Sequence, residues 1–333
     1  MTLPRDLQPH APTAVQVSVI LPARDCAGVV GAQLAALARQ RYRGPWELIL
    51  VDNGSGDHTR DVFEQWAALR PHARVVTARE RRGAGYARNV GSTVATGELL
   101  LYCDADDVVG DDWVGAMARA ADRGPLLAGS DVDTVEELRP DGVRGERRSV
   151  SARLPYARGG NLGIHASVLA QVGGWDEAWL RGQDVELSWR VQAHGHPLVR
   201  VVDARVWYRR HDGLWPLLRH QHAFGRQAPA LYLRFADHGA PPWRPRHALV
   251  DVVRGLLRAP ALLGPRQRRR RWLLGVAGSL GRLRGAVALA RVSTGEAEPS
   301  ARLPRHVVEH RPGPASTGVR GVAPPRSSPE ARG

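Results

Sequence analysis

Short β-branched runs alternate with helix-length amphipathic segments over the first hundred residues, and that alternation leaves the chain few architectures to adopt. Val17–Leu21 is a β-branched run closed by Pro22, and Trp46–Val51 is a second, closed by Asp52-Asn53-Gly54-Ser55-Gly56-Asp57. Between them, Val29–Arg41 carries Val30, Leu34 and Leu37 at helical spacing. The pattern then repeats, with Thr59–Leu69 as helix, Arg74–Ala78 as strand, Gly85–Thr96 as helix and Glu98–Cys103 as strand. Strands alternating with helices of this length predict an α/β fold with a mainly parallel sheet flanked by helices on both faces. Ligands in such sheets bind at the carboxyl ends of the strands.

Two loops at that edge are acidic. The apolar strand Leu99-Leu100-Leu101-Tyr102-Cys103 runs into Asp104-Ala105-Asp106-Asp107, and alternation along a strand lets Asp104 and Asp106 point the same way. Mg2+ and Mn2+ take hard oxygen ligands and share them with substrate phosphates, so one or two carboxylates beside an open face suit a metal-diphosphate. An Asp-x-Asp pair serves equally as a turn or a helix N-cap, and that alternative stands beside the metal reading. The loop Asp52 to Asp57 adds carboxylates to the same rim, which attracts metals and ribose hydroxyls and repels bare phosphate. The first β-α turn, Pro22-Ala23-Arg24-Asp25-Cys26-Ala27-Gly28, lacks the G-x-G-x-x-G fingerprint, which argues against dinucleotide-dependent hydride transfer.

The chain has 333 residues and a net charge of +14, and its basic side chains are all arginine. Such a balance raises nucleic acid as a partner. The arginines, however, concentrate between Trp243 and Arg291, above all at 266–271, while the acids are spread through the first two hundred positions. Two cysteines, Cys26 and Cys103, cannot form a disulfide framework and read as buried thiols in a reducing compartment. No apolar run reaches the roughly 18 residues that cross a bilayer, and Met1 to Val17 lacks the layout of a signal peptide. A cytoplasmic site of action is the expectation.

Structure resumes from about Gly159 to Tyr208. Leu162–Leu169 leads into Gly173-Gly174-Trp175-Asp176-Glu177, then Gly182-Gln183-Asp184-Val185-Glu186-Leu187, where Asp184 stands at the start of a helix. Val199–Val202 and Ala204–Tyr208 read as two strands, Pro216–Phe235 and Leu249–Leu257 as helices, and 296–333 as disordered. The expected organisation is a tail (1–14), a catalytic domain (15–212), a helical arginine-rich extension (213–292) and a disordered tail (293–333).

From Val17 to about Tyr208 the chain resembles the family 2 glycosyltransferases of the GT-A fold, a Rossmann-like, nucleotide-diphospho-sugar-binding architecture. The resemblance is carried, in the family's order, by Val17-Ser18-Val19-Ile20-Leu21-Pro22-Ala23-Arg24-Asp25, Glu47 to Asp57, Ala87-Arg88-Asn89-Val90-Gly91, Asp104-Ala105-Asp106-Asp107, and Val172 to Glu177 with Gln183-Asp184-Val185-Glu186-Leu187. It implies an inverting, metal-dependent transfer of sugar from a nucleotide-diphospho-sugar donor to a hydroxyl acceptor, lipid-linked or glycan, in cell-envelope glycan or glycolipid synthesis. By position it places Ala23 and Asp25 beside the base, Asp52 on the base or ribose, Arg88 on the diphosphate and Asp104 on the ribose or a metal-bound water. Asp106 becomes the direct ligand of a divalent cation, with His211 as a late further contact, and Asp184 the base that takes the acceptor's proton. Asp25 and Gln183 depart from the family pattern, which commonly has Asn and Glu there. Capping roles for Asp52 and Asp184, a surface ion pair for Arg88 and a core role for Trp175 and Trp179 stay open. A sugar-phosphate nucleotidyltransferase shares the general fold but needs a glycine-rich basic phosphate loop that Pro22 to Gly28 does not supply.

Beyond the resemblance, Trp272, Val276, Leu280, Leu283 and Val287 step by three or four behind the arginines at 266–271. This is the pattern of a basic amphipathic helix, and 250–291 is expected either to lie on an anionic membrane surface or to pack on the catalytic domain. Nucleic acid is disfavoured there because aromatic residues are not interleaved with the arginines.

Overall fold

The structure, a computed structural model, describes residues 16–133, 154–209, 213–240 and 243–293. The elements run β1 (Val17–Ala23), α1 (Val30–Ala38), β2 (Trp46–Asp52), α2 (Thr59–Ala68), β3 (Ala73–Thr77), α3 (Ala84–Val94), β4 (Leu99–Cys103), β5 (Val108–Val109), α4 (Trp113–Ala120) and β6 (Leu126–Asp133). They continue with β7 (Asn161–His165), α5 (Ala166–Gln171), α6 (Gln183–Ala193), β8 (Leu198–Tyr208), α7 (Leu214–Arg234), α8 (Pro245–Leu257) and α9 (Arg266–Ser293). The expected tails and most of the loop between β6 and β7 lie outside the described residues.

The strands form one sheet in the order β3-β2-β1-β4-β7-β6-β8-β5. The first four are parallel, as the β-α alternation requires, whereas β7 enters antiparallel to both β4 and β6, and β5 antiparallel to β8. Burial on both faces explains the continuous apolar runs of the central strands. Val19, Leu21, Leu48, Leu50, Leu99 and Leu101 meet α1, α2 and α4 on one side. Their neighbours Ile20, Ile49, Val51, Leu100 and Tyr102 meet α3, α5 and α6 on the other. Each such side chain, fully buried, contributes about 1.5–3 kcal/mol.

Several boundaries differ from the sequence reading. β1 does not close at Pro22 but continues to Ala23 beside Asp52 of β2. The Ala23 carbonyl accepts from the Asn53 N–H, so the flanking Pro22 faces the β4 side, where pairing has ended at Ile20–Tyr102 and no donor is needed. The two strands read around Asp203 are one, β8, whose register against β6 shifts between Gly129 and Ser130. α4 and β6 have no counterpart in the sequence reading.

The C-terminal helices bury an unexpected face. α9 lies on α7 through glycines: a Cβ at Gly281 would meet the carbonyl of His222, one at Gly285 that of Arg226, and one at Gly225 of α7 that of Gly278. Of the apolar stripe expected to define α9, Leu280 and Val287 remain exposed. By length and composition, 266–291 is also long and apolar enough to cross a membrane, because two arginines interrupt the apolar run without outweighing it. One of them, Arg282, pairs with Asp251 of α8 at 2.9 Å.

Gly281→Ala and Gly285→Ala should each lower stability by about 1–3 kcal/mol through overpacking. Gly275→Ala on the same helix, where a Cβ meets nothing, should be neutral or stabilising by up to about 1 kcal/mol. Thermal denaturation of the three variants checks the difference.

Candidate active site

The carboxyl ends of β1, β2 and β4 gather the expected residues along one edge. Asp25 sits at φ +50, a left-handed conformation that Asp tolerates. Its N–H donates to Ser55 Oγ at 3.1 Å, and its Oδ1 accepts from the Gly56 N–H at 2.7 Å. Ala27 and Cys26 likewise donate to Asp57 and Thr59, so the β1–α1 turn and the β2–α2 loop are stitched into one wall. The Thr59 hydroxyl, with the N–H groups of Ala27 and Thr59, holds the Asp57 carboxyl below its usual range. Ala23, just before this wall, is buried.

Asp52 is fully buried at the end of β2. Its Oδ1 accepts from the Ser55 N–H at 3.0 Å, while its Oδ2 has no hydrogen-bond partner among the described residues. A buried carboxylate oxygen without a donor costs about 1–3 kcal/mol, which makes it a ready acceptor for a ligand N–H or O–H.

Arg88 of α3, expected at a diphosphate, is 5% exposed and turned into the protein. Its Nη2 donates to Asp104 Oδ1 at 2.8 Å and its Nη1 to Gln183 Oε1 at 3.3 Å, with the guanidinium over the Trp175 ring. The next residue, Asn89, bonds the Trp175 backbone through both N–H and carbonyl and adds Glu177 Oε1 at 2.9 Å. Trp175 and Trp179 are therefore core residues.

The three aspartates after β4 are unequal. Asp104 and Asp106 are partly exposed, whereas Asp107 is buried, accepting from the Arg209 N–H at 2.9 Å and pairing with Arg158 at 3.3 Å. Burial, then the charge of Asp104, pushes its carboxyl up to about 7 against the pull of Arg158. Arg158 also reaches Asp131 at 3.1 Å and covers the Tyr208 ring, so it closes the site between β4, β6 and β8. Neither Asp107 nor Arg158 was singled out from sequence; the signal available was Arg158-Gly159-Gly160-Asn161. A Cβ at Gly159 would strike the Arg88 guanidinium, and one at Gly160 the Asp104 carboxylate. Asn161 is buried; it accepts from Trp113 Nε1 and donates to the carbonyls of Ser130 and Ala204.

Asp184 is the second residue of α6. Its Oδ2 accepts from the Gly159 N–H at 3.2 Å and its Oδ1 from the Val185 N–H at 3.0 Å. Gln183 supplies the neutral bridge from Asp184's helix to Arg88 and hence to Asp104. The helix is fixed from behind. Glu186, fully buried, pairs with Arg190 at 2.8 Å and Arg234 at 3.2 Å, and Arg234 reaches Asp176 at 2.9 Å. Just before α6, the Arg181 N–H donates to Gln227 of α7 at 2.7 Å.

The donor set for a cation is open. Among the described residues no three His, Cys, Asp or Glu side chains form a metal-holding group, and His211 lies outside those residues. Partly exposed Asp104 and Asp106 supply hard oxygens of the kind that Mg2+ or Mn2+ shares with phosphates and water, so the residues present fit a substrate-shared ion.

Residues 18–168, which include Asp25, Asp52, Arg88, Asp104 and Asp106 and end before Asp184, match the family model for glycosyl transferase family 2. The chain carries a family 2 glycosyltransferase domain. This domain is similar to the glycosyltransferase AglE of Haloferax volcanii, 28% identical over 191 residues, 55% of this chain and 63% of the relative. It is also similar to the UDP-Glc:alpha-D-GlcNAc-diphosphoundecaprenol beta-1,3-glucosyltransferase WfgD of Escherichia coli, 29% identical over 92 residues, 28% of this chain and 35% of the relative. The chain thus matches less than two thirds of the length of either relative. Among solved structures, the mannosyltransferase of Pyrobaculum calidifontis in complex with GDP-Man and Mn2+ aligns at a TM-score of 0.61 and 20% identity, covering 85% of this chain and 90% of that one. The family 2 domain therefore has the GT-A fold.

Glu186→Ala should destabilise the protein by about 3 kcal/mol, because it strips a buried carboxylate from two arginines at once. Urea denaturation measures the loss.

Proposed function

We propose that the chain transfers a sugar from a nucleotide-diphospho-sugar to a hydroxyl of a lipid-linked or glycan acceptor, with inversion at the anomeric carbon. The observation that carries this reading is the Arg88 bridge. It brings Asp184, at the amino end of α6, into one cluster with Asp104, at the end of β4. A base for the acceptor and carboxylates for the donor's diphosphate end then face one reaction space.

Asp52 Oδ2 accepts a hydrogen bond from the base or ribose, and Ala23 and Asp25 frame that end. Asp106 would hold the divalent cation beside the donor's phosphates, and Asp104 would reach the ribose or a water on that cation. When bound, that cation stabilises the negative charge developing on the leaving diphosphate. Arg88 acts through Asp104, fixing the direction of its carboxylate with the 2.8 Å hydrogen bond. Asp184, held by two backbone N–H groups, takes the acceptor hydroxyl's proton as the acceptor oxygen bonds to C1 from the face opposite the diphosphate. The C1–O bond to phosphate breaks in the same displacement, and the electron pair leaves with the nucleoside diphosphate.

The GDP-Man and Mn2+ of the Pyrobaculum enzyme support a nucleotide-sugar donor and a divalent ion. The UDP-Glc and diphosphoundecaprenol in the name of the Escherichia coli relative support a lipid-linked acceptor. Both cysteines are free thiols, in keeping with a cytoplasmic site of action.

The test is a panel of UDP-, GDP- and dTDP-sugars with Mg2+ or Mn2+ and candidate acceptors, read as release of nucleoside diphosphate. One donor should turn over, and Asp184→Asn should cut transfer by roughly 100-fold or more with nucleotide affinity unchanged. No release from any donor overturns the enzyme reading, and retained turnover in Asp184→Asn removes it as the base.

A further inference from the structure

The C-terminal helices present a surface that nothing in the sugar chemistry uses. α8 turns its apolar side outward: Leu249, Val253, Leu256 and Leu257 stand exposed, the last at 75%, and the turn into α9 adds Leu262 and Leu263, the latter at 93%. The inward side of α8 carries Ala248, Val252 and Gly255 instead, with the Trp272 indole donating to the Gly255 carbonyl. These leucines and valines lie beside five arginines at 266–271, and no Asp or Glu occurs from Val252 to Gly295. Where the two features meet, an open cleft of about 560 Å³ is lined by Arg258, Arg268, Arg271 and Trp272 together with Leu257 and Pro260.

We infer that α8 and the α8–α9 turn dock on an anionic phospholipid bilayer, with the leucines entering the acyl boundary and the cleft receiving a headgroup phosphate. The charge pattern selects this occupant. A second copy of the chain on a two-fold axis would bring arginine clusters together, and a nucleic acid would leave the leucine row in water. A bilayer surface takes apolar side chains and cations side by side. Sequence pattern alone puts the lipid face on the stripe Trp272 to Val287 of α9. The structure shifts it to α8 and the turn, because α9 lies against α7 through its glycines and against α8 through Trp272 and Arg282. Docking needs neither donor nor acceptor sugar, so it stands or falls apart from the catalytic reading.

Flotation of the full chain with vesicles of phosphatidylcholine alone or mixed with phosphatidylglycerol tests the inference. The wild type should float with the mixed vesicles and not with the neutral ones, and added salt should weaken it. The triple variant Leu256→Asp, Leu257→Asp, Leu263→Asp should lose binding by more than about tenfold, since each replacement puts a charge into the acyl boundary. Arg268→Glu with Arg271→Glu should weaken binding by at least about fivefold per arginine. All five positions are exposed, and unchanged circular dichroism and melting would show that the variants fold. The inference is overturned by equal flotation of the variants, by binding indifferent to lipid charge, by dimerisation lost in the leucine variant without vesicle binding, or by tight DNA binding without vesicle binding. Recovery from vesicles only with detergent also overturns it, because α9 would then be inserted rather than docked.

Discussion

The Arg88 guanidinium, buried between Asp104, Gln183 and the Trp175 ring, is the contact through which the two halves of the site know each other's position. Desolvating a cation so thoroughly is tolerable only when its partners are fixed, and each is. Asp104 stands at the end of a central strand, Gln183 opens α6, and Trp175 is clamped by Asn89 from the residue next door. Gly159 and Gly160 have no side chains because the guanidinium and the Asp104 carboxylate occupy that space. A charge pair formed for packing thus also fixes the end of β4, with Asp104, against the amino end of α6, with Asp184.

The C-terminal helices extend the same logic outward. α7 reaches α6 through Gln227, Arg234 and a cluster in which Trp179, Val185 and Trp189 meet Leu231 and Phe235. α9 lies on α7 at backbone distance, and α8 lies on α9. α7, α8 and α9 are therefore a brace for the helix that carries Asp184, and they connect the exposed leucines of α8 to it.

The β-α alternation, the acidic rim and the helix start at Asp184 were legible because each depends on local periodicity or strand polarity. Whatever depends on long-range pairing was not. β8 read as two strands because Asp203 breaks an apolar run, yet it falls where β8 slips its register against Gly129 and Ser130. Arg88 read as a diphosphate ligand, with a surface ion pair as the alternative, because its burial comes from Asp104, Gln183 and Trp175, which are 16, 95 and 87 positions away. The buried face of α9 was hidden because close helix packing selects glycine, which carries no hydrophobic signal. Conversely, the apolar row of α8 has the pattern of a core stripe but faces outward.

The proposed sugar transfer requires the rim formed by Asp52, Asp104 and Asp106 to hold a nucleoside diphosphate together with a divalent cation. Calorimetric titration of UDP, GDP and dTDP into the full chain, with and without Mn2+, tests it most directly. At least one of the three should bind with Mn2+, at least about tenfold more weakly without it, and Asp106→Asn should remove the difference. Failure of all three to bind at millimolar concentration with Mn2+ present, or binding that ignores the ion, would contradict it.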